Sequence, residues 1–302
     1  MPSRWKVAAL VAGIVLVGLL VAGFAFRSRT LEWMLHRQQH ELEAALNEHD
    51  TLQTERGSIH RYAGGDGRVL VLIHGFGDRA GGWAQVAPTL AERYRVVSLD
   101  LPGHGASDPA SPPLQLQDLT SGLEAALADQ GDQLVLLGNS LGGWLALNYA
   151  LDHPERVDHV VLLNAAGASW WSGPSKKRLL LPTTRDEQRE KLAAVLGERA
   201  PAMPGFLLDQ LVALGNDSRH EDLWNDVTDG NHYLDERLPS LIPSTTMLWG
   251  TPDPFFPFDS YATRLSQELP NTELHTLEGC GHAPQYSCPE ELASLVFQVV
   301  PP

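Results

Sequence analysis

The stretch Gly138-Asn139-Ser140-Leu141-Gly142-Gly143 stands between an apolar run, "QLVLL" (133–137), and a helical pattern, "WLALNYAL" (144–151). Its form is G-x-S-x-G at a strand-to-helix junction. Such a junction forces the serine onto a sharp, strained turn, and glycines two residues away on either side remove side chains that would clash there. The Ser140 hydroxyl then projects from the end of the strand. Serine is a weak nucleophile near neutral pH, so the reading requires a base and an acid that orients it.

Both lie downstream, each just past an apolar strand pattern. Asp253 sits in "MLWGTPDPFFP" and His282 in "LEGCGHAPQYSCPEEL". The chain order Ser, Asp, His is that expected when successive strand ends of one α/β sheet supply a triad. His282 would take the Ser140 proton and return one to the leaving group, while Asp253 fixes its tautomer. "LIHGFGD" (72–78) puts the Phe76 amide beside that of Leu141, a pair suited to an oxyanion. His74 and Gly75 next to it, and Trp170 and Trp171 further on, are candidate substrate contacts. Asp259 and Glu278 are substitutes for Asp253 that follow their strands less directly. In "DLPGHGASD", His104 reads as a structural or entrance residue rather than a catalytic one, and Asp100 as the residue that holds the loop.

Around this centre, short apolar runs at 68–73, 94–99, 133–137, 157–164, 245–249 and 272–277 alternate with helical patterns near 83–93, 116–130, 141–152, 259–269 and 290–299. Alternation of this kind predicts a mainly parallel sheet covered by helices on both faces. It breaks between Gly167 and Ser240, where leucine-rich helical patterns occur near 187–197 and 205–214 without a strand. The expected organisation is a core of 57–166 and 241–302 with a helical cap at 167–240 above the strand ends, where such sheets bind ligands.

The chain has 302 residues, 43% of them hydrophobic, and a net charge of −15, which argues against general nucleic-acid binding. Val7 to Phe26 is uncharged for twenty residues, long enough at about 1.5 Å per residue to span a hydrocarbon core. Residues 1–29 are therefore expected to anchor the chain in a membrane. A cleaved signal peptide also fits the basic start and the small residues Gly23 and Ala25. Basic residues flank both ends of the run and leave the orientation open. Leu31, Met34, Leu35, Leu42, Ala45, Leu46 and Leu52 then predict an amphipathic helix and linker over 30–56. The two cysteines, Cys280 and Cys288, exclude a disulfide framework and a multi-thiolate metal site. A single bond between them stays open, with Cys280 read as a packed thiol. No metal-ligand spacing appears, and no cofactor is expected.

With these residues in place, the chain from about Gly57 to Val299 resembles the α/β-hydrolase superfamily. "HGFGD", "DLPGHGASD", "GNSLGG", "WGTPD" and "GCGHAPQYSCPEEL" carry the resemblance as a set. It implies Ser140, Asp253 and His282 as the triad. The N-terminal run, "LLNAAG" and the cap are most similar to the membrane-anchored monoacylglycerol lipase and esterase branch, although that branch often has Met where this chain has Leu141. "GNSLGG" also resembles relatives that hydrolyse carbon–carbon bonds of ring-fission diketones. Those usually carry Gly-Pro-Gly after the first strand, and "HGFGDRAGG" does not. Serine at the elbow disfavours the dehalogenase and epoxide-hydrolase branches, which resemble this fold but use aspartate. The expectation is thus a serine ester hydrolase acting on acylglycerols or similar lipids. Carbon–carbon bond hydrolysis and a non-catalytic membrane scaffold are the alternatives.

Overall fold

The computed structural model describes residues 29–109, 112–170, 176–229 and 232–301. Its centre is a nine-stranded sheet in the order β1-β2-β4-β3-β6-β7-β8-β9, with β5 pairing only with β2. The strands are β1 (Glu48–Thr54), β2 (Gly57–Gly64), β3 (Val69–Ile73), β4 (Arg95–Asp100), β5 (Asp108–Pro109), β6 (Leu134–Asn139), β7 (Val157–Leu163), β8 (Ser244–Thr251) and β9 (Thr272–Glu278). β3, β4 and β6 to β9 pair in parallel, whereas β2 runs antiparallel to β1, β4 and β5.

The pleat divides the core into two layers. Val71, Ile73, Leu134, Leu136, Val160 and Leu162 face one cluster. Their neighbours Leu70, Leu72, Val135, Leu137, Val161 and Leu163 face the other. This period of two on fully buried strands requires helices on both sides. The first face is covered by α3 (Leu116–Leu127), α4 (Leu141–Asp152) and α9 (Thr263–Glu268). The second is covered by α1 (residues 29–45), the short α2 (Ala87–Leu90) and α11 (Pro289–Val299). Among the described residues four α-helices follow β7 before β8 begins: α5 (Lys177–Leu180), α6 (Arg185–Leu196), α7 (Gly205–Gly215) and α8 (Ser218–Asp229). The short α10 (Pro284–Ser287) follows β9.

The chain leaves β3 toward β4 on one side and returns to β6 on the other. β3 and β6 are neighbours, with Ile73 opposite Gly138. Their carboxyl ends therefore flank a topological switch point, the place where a crevice opens above such a sheet.

The N-terminal boundary needs correction. The helix expected over 30–56 ends at 45, and residues 48–54 form a strand. Leu42 and Leu46 keep their helical spacing and are fully buried, but Leu52 belongs to a hairpin in which Thr54 faces Gly57. Gly57 at φ 133 lets the chain reverse after Glu55 and Arg56. Arg61, buried on β2, then fastens the hairpin to the end of α3 through Asp50, Asp129 and the Ala126 carbonyl. Among the described residues no helix is long and apolar enough to cross a membrane, and the run Val7–Phe26 lies outside them. Because Leu46 packs in the same cluster as Trp83, Leu90 and Tyr94, Leu46→Ala is expected to destabilise the whole domain by about 2–4 kcal/mol in urea unfolding. A change near zero would show α1 to be merely appended.

Candidate active site

Ser140 follows β6 directly and adopts φ 56, ψ −116, a conformation an L-residue enters only under constraint. The constraint is close approach. A Cβ on Gly138 would lie 2.2 Å from the Gly142 carbonyl oxygen, and one on Gly142 would lie 2.2 Å from the Ile73 carbonyl oxygen. Only glycines let α4 start this close to β3. The Ser140 amide donates to the Leu163 carbonyl at 3.0 Å, and its own carbonyl accepts from Ala166 at 2.9 Å. Both bonds pin the turn to the end of β7.

Asp253 lies just past β8 and is 4% exposed. Its Oδ2 accepts from His282 Nδ1 at 2.8 Å and from Asn164 Nδ2 at 2.9 Å. Its Oδ1 accepts from the amides of Phe255, at 2.8 Å, and Phe256, at 3.2 Å. Four donors satisfy this buried carboxylate as an acceptor. The Nδ1 proton of His282 is committed to Asp253, which leaves Nε2 free to act as a base toward a hydroxyl. Ser140 and His282 line the same cleft. Asp259 and Glu278 take no part: Glu278 accepts from Thr251 Oγ1 at 2.9 Å and is exposed.

The turn after β3 is closed by a bond from the Asp78 amide to the Gly75 carbonyl, 3.2 Å, with Gly77 at φ 69. The Gly77 amide donates to His104 Nε2 at 3.3 Å, so Phe76 carries the remaining amide of the turn. Leu141, the first residue of α4, has an amide with no acceptor inside its helix. The Phe76 and Leu141 amides thus stand on either side of the switch point. Gly75 and Phe76 line the cleft. His74 does not, and this corrects its reading as a substrate contact. It is fully buried, accepts the Leu101 amide on Nε2 at 3.0 Å and bonds the Gly75 carbonyl through Nδ1 at 2.8 Å. His74 therefore braces the turn from below. Asp100 does the same for the next loop, accepting the amides of Ala80 at 2.7 Å and Ala106 at 2.8 Å.

Trp170 also needs correction. It packs on Tyr261 at 5.9 Å and under the Arg264 guanidinium at 4.1 Å, away from the cleft. After β7 the chain first passes over α9, and the indole is used there as packing. Trp171 lies outside the described residues. Cys280 and Cys288 are both buried and joined in a disulfide, with Cα atoms 5.8 Å apart, so Cys280 is not a free thiol. The bond brackets the His282 loop.

Several residues that the motifs did not single out position this centre. Asn139, inside the elbow, donates to the His282 carbonyl and to the Leu163 carbonyl, each at 3.0 Å, and accepts from Gln285 at 3.1 Å. Asn164, at φ 44, spans Asp253 and Gly250. Polar residues ending otherwise apolar strands were the available signal. The cap also reaches the histidine: the amides of His282 and Ala283 donate to the Ala194 and Val195 carbonyls near the end of α6 at 3.0 and 2.9 Å. His220 of α8 lies 5.7 Å from Phe76 and 5.5 Å from His104, ring to ring. No sequence pattern placed it there.

The cleft has a volume of about 530 Å³, within the range of small-ligand sites. Apolar side chains from the cap and from α1 make up much of its wall, among them Leu35, Leu192, Met203, Leu207 and Leu211. Its charged members are Asp78, Arg79, Lys191, Asp217 and Arg219. Asp217 pairs with Arg219, and Asp78 accepts from Tyr286 at 2.6 Å while burial raises its pKa. Burial pushes Lys191 down to about 8. Among the described residues no group of three or more His, Cys, Asp or Glu is placed to hold a metal ion.

Two outcomes test this geometry. Asn164→Ala removes one donor from Asp253 and leaves the buried Gly250 amide unpaired, so it is expected to cost about 2 kcal/mol in urea unfolding and to lower kcat more than it changes KM. Burial also depresses His74 and His159 to about 4 from an ordinary 6.5. The unfolded chain therefore binds protons on them before the native state does, and stability is expected to fall as pH drops from about 6.5 to about 4. A Tm that stays flat from pH 7 to 4.5 would contradict this.

Comparison with known proteins agrees with this architecture. The model of the alpha/beta hydrolase family matches residues 70–295. Among curated proteins, a 2-hydroxy-6-oxo-6-phenylhexa-2,4-dienoate hydrolase of Burkholderia cepacia is 29% identical, over 76% of this chain and 86% of its own. A 2-hydroxy-6-oxononadienedioate/2-hydroxy-6-oxononatrienedioate hydrolase of Pseudomonas putida is 31% identical at the same coverage. Among solved structures, a membrane phospholipase A described as a bacterial virulence factor superposes with TM-score 0.77 at 26% identity, over 96% of this chain and 97% of that one. The family match spans most of the chain and the fold, elbow and cleft agree with it: the chain belongs to the alpha/beta hydrolase family.

Proposed function

We propose that this hydrolase cleaves carboxylic esters of single-chain acyl lipids, acylglycerols foremost, through an acyl-enzyme on Ser140. The observation that carries the reading is the cleft of about 530 Å³, which Ser140 and His282 line together with apolar side chains such as Leu35, Leu192, Leu207 and Leu211. The likeness to a membrane phospholipase A along nearly the whole chain supports it.

In this reaction His282 Nε2 takes the Ser140 proton as Oγ attacks the ester carbonyl, and the tetrahedral oxyanion forms between the Phe76 and Leu141 amides. Each such donor is typically worth about 3 kcal/mol in the transition state. Asp253 stabilises the imidazolium without accepting its proton. His282 then protonates the departing alcohol, and water activated by the same nitrogen releases the fatty acid. The uncharged run Val7–Phe26 fits a role as a membrane anchor that keeps the enzyme beside such substrates.

One observation favours a second reading. Arg79 and Lys191 line the cleft, both within electrostatic reach of Asp78 and with Lys191 donating to the Leu180 carbonyl at 2.7 Å, and the curated relatives are named for dienoate substrates, which are carboxylates. A ring-fission diketone with a terminal carboxylate would meet those cations. Its cleavage would start from the same serine and histidine.

Ser140→Ala is expected to lower turnover of a monoacylglycerol by a factor on the order of 10⁴ to 10⁶, with the fold intact by circular dichroism. Retained ester turnover would remove the serine mechanism. Faster turnover of the ring-fission diketone than of the ester by the parent enzyme would replace the first reading with the second.

A further inference from the structure

Helix α1 precedes the whole hydrolase sheet, yet it forms part of the cleft wall. Leu31, Met34, Leu35 and Gln38 line the cavity that holds Ser140. The helix is fixed there from both ends. Leu42 and Leu46, one and two turns beyond Gln38, are wholly buried in the core. At its start the Leu31 amide donates to Gln210 of cap helix α7 at 3.2 Å. The side of the cleft opposite the sheet is therefore shared between the cap and a segment outside the family-matched region.

The rim of this wall is apolar and open to solvent. Among the described residues the exposed large hydrophobic side chains are Trp33 (61%), Met34 (38%), Leu214 (44%) and Ile242 (69%). Met34 and Leu214 line the cleft, and Trp33 adjoins Met34 on α1. Two of the four thus stand at the mouth, and Trp33, about 100° round the helix from Met34, lies on the outer face of α1 beside Arg37. The position of α1 in the chain identifies what covers them. Val7–Phe26 is an uncharged run of bilayer length, and α1 is already helical at residue 29. The half of α1 that carries Trp33 and Met34 also carries Arg29 and Arg37 against one acid, Glu32; the Arg37 guanidinium lies 5.9 Å from the Trp33 ring and pairs with Glu41 one turn on, at 2.7 Å. A tryptophan beside basic residues is the composition that favours a membrane interface.

We propose that α1 is the lipid-facing wall of the cleft. Trp33, on the outer face of α1, together with Met34 and Leu214 at the mouth, seats this wall on a membrane surface, and an acyl chain passes from the lipid between α1 and α7 to Ser140. The choice of substrate rests on the ester-hydrolase reading above; the seating on lipid does not.

The test uses the full chain reconstituted in phosphatidylcholine vesicles, with Trp33→Glu, Trp33→Phe and a distant control, Ile242→Glu. For each, turnover of a monoacylglycerol within the vesicles is divided by turnover of a short soluble p-nitrophenyl ester. Trp33→Glu is expected to lower that ratio by about tenfold, as a charge placed in the interface should, and Ile242→Glu to leave it unchanged. Brominated lipid is expected to quench a component of tryptophan fluorescence that Trp33→Phe removes. An unchanged ratio for Trp33→Glu, or an equal fall for Ile242→Glu, would overturn the proposal. If the parent turns over neither ester, the ester reading fails and quenching alone decides: absence of a Trp33-dependent component refutes the seating on lipid.

Discussion

The centre depends on one steric constraint, the approach of the α4 N-terminus to the end of β3. With no side chain at Gly138 or Gly142, the helix starts against the Ile73 carbonyl and Ser140 is held at positive φ. That conformation stores strain. The bonds from Ser140 to Leu163 and Ala166 offset it by tying the turn to β7. The same approach brings the Leu141 amide to the switch point beside the turn after β3. One backbone geometry therefore sets both the exposed serine and the proposed Leu141 half of an oxyanion site.

The other half of the centre is held by side chains that do no chemistry. Asn139 links the elbow to the histidine loop, and Asn164 links β7 to Asp253. Each bridges strand ends that covalent geometry leaves independent. Backbone bonds from the end of α6 to His282 and Ala283 join the cap to this arrangement. The disulfide between Cys280 and Cys288 closes the loop around His282 from the opposite side. A cap attached in this way takes part in orienting His282 as well as in shaping the cleft.

What is legible in the sequence follows from what is local. Period-two and period-3.6 hydrophobicity marks the strands and long helices, since it is imposed by the pleat and the helical turn. The elbow, the Asp253 turn and the His282 loop are readable because glycine and proline mark sharp turns at strand ends. The hairpin of β1 and β2 is less so: β1 is largely solvent-exposed and carries little hydrophobic signal. His74 and Trp170 are misread for a different reason. Sequence places both near the centre, but the direction of a side chain is fixed by packing, which puts His74 beneath its turn and Trp170 against Tyr261. His220 reaches Phe76 only through the tertiary placement of α8.

In the proposed mechanism Ser140, activated by His282, becomes covalently attached to the acyl group. Intact-mass and peptide analysis after exposure to an alkyl fluorophosphonate tests it most directly. A single adduct is expected, on the peptide containing Ser140, forming far more slowly when Asp253 is replaced by Asn. A label on another residue, or none on a folded enzyme that still turns over substrate, would contradict it.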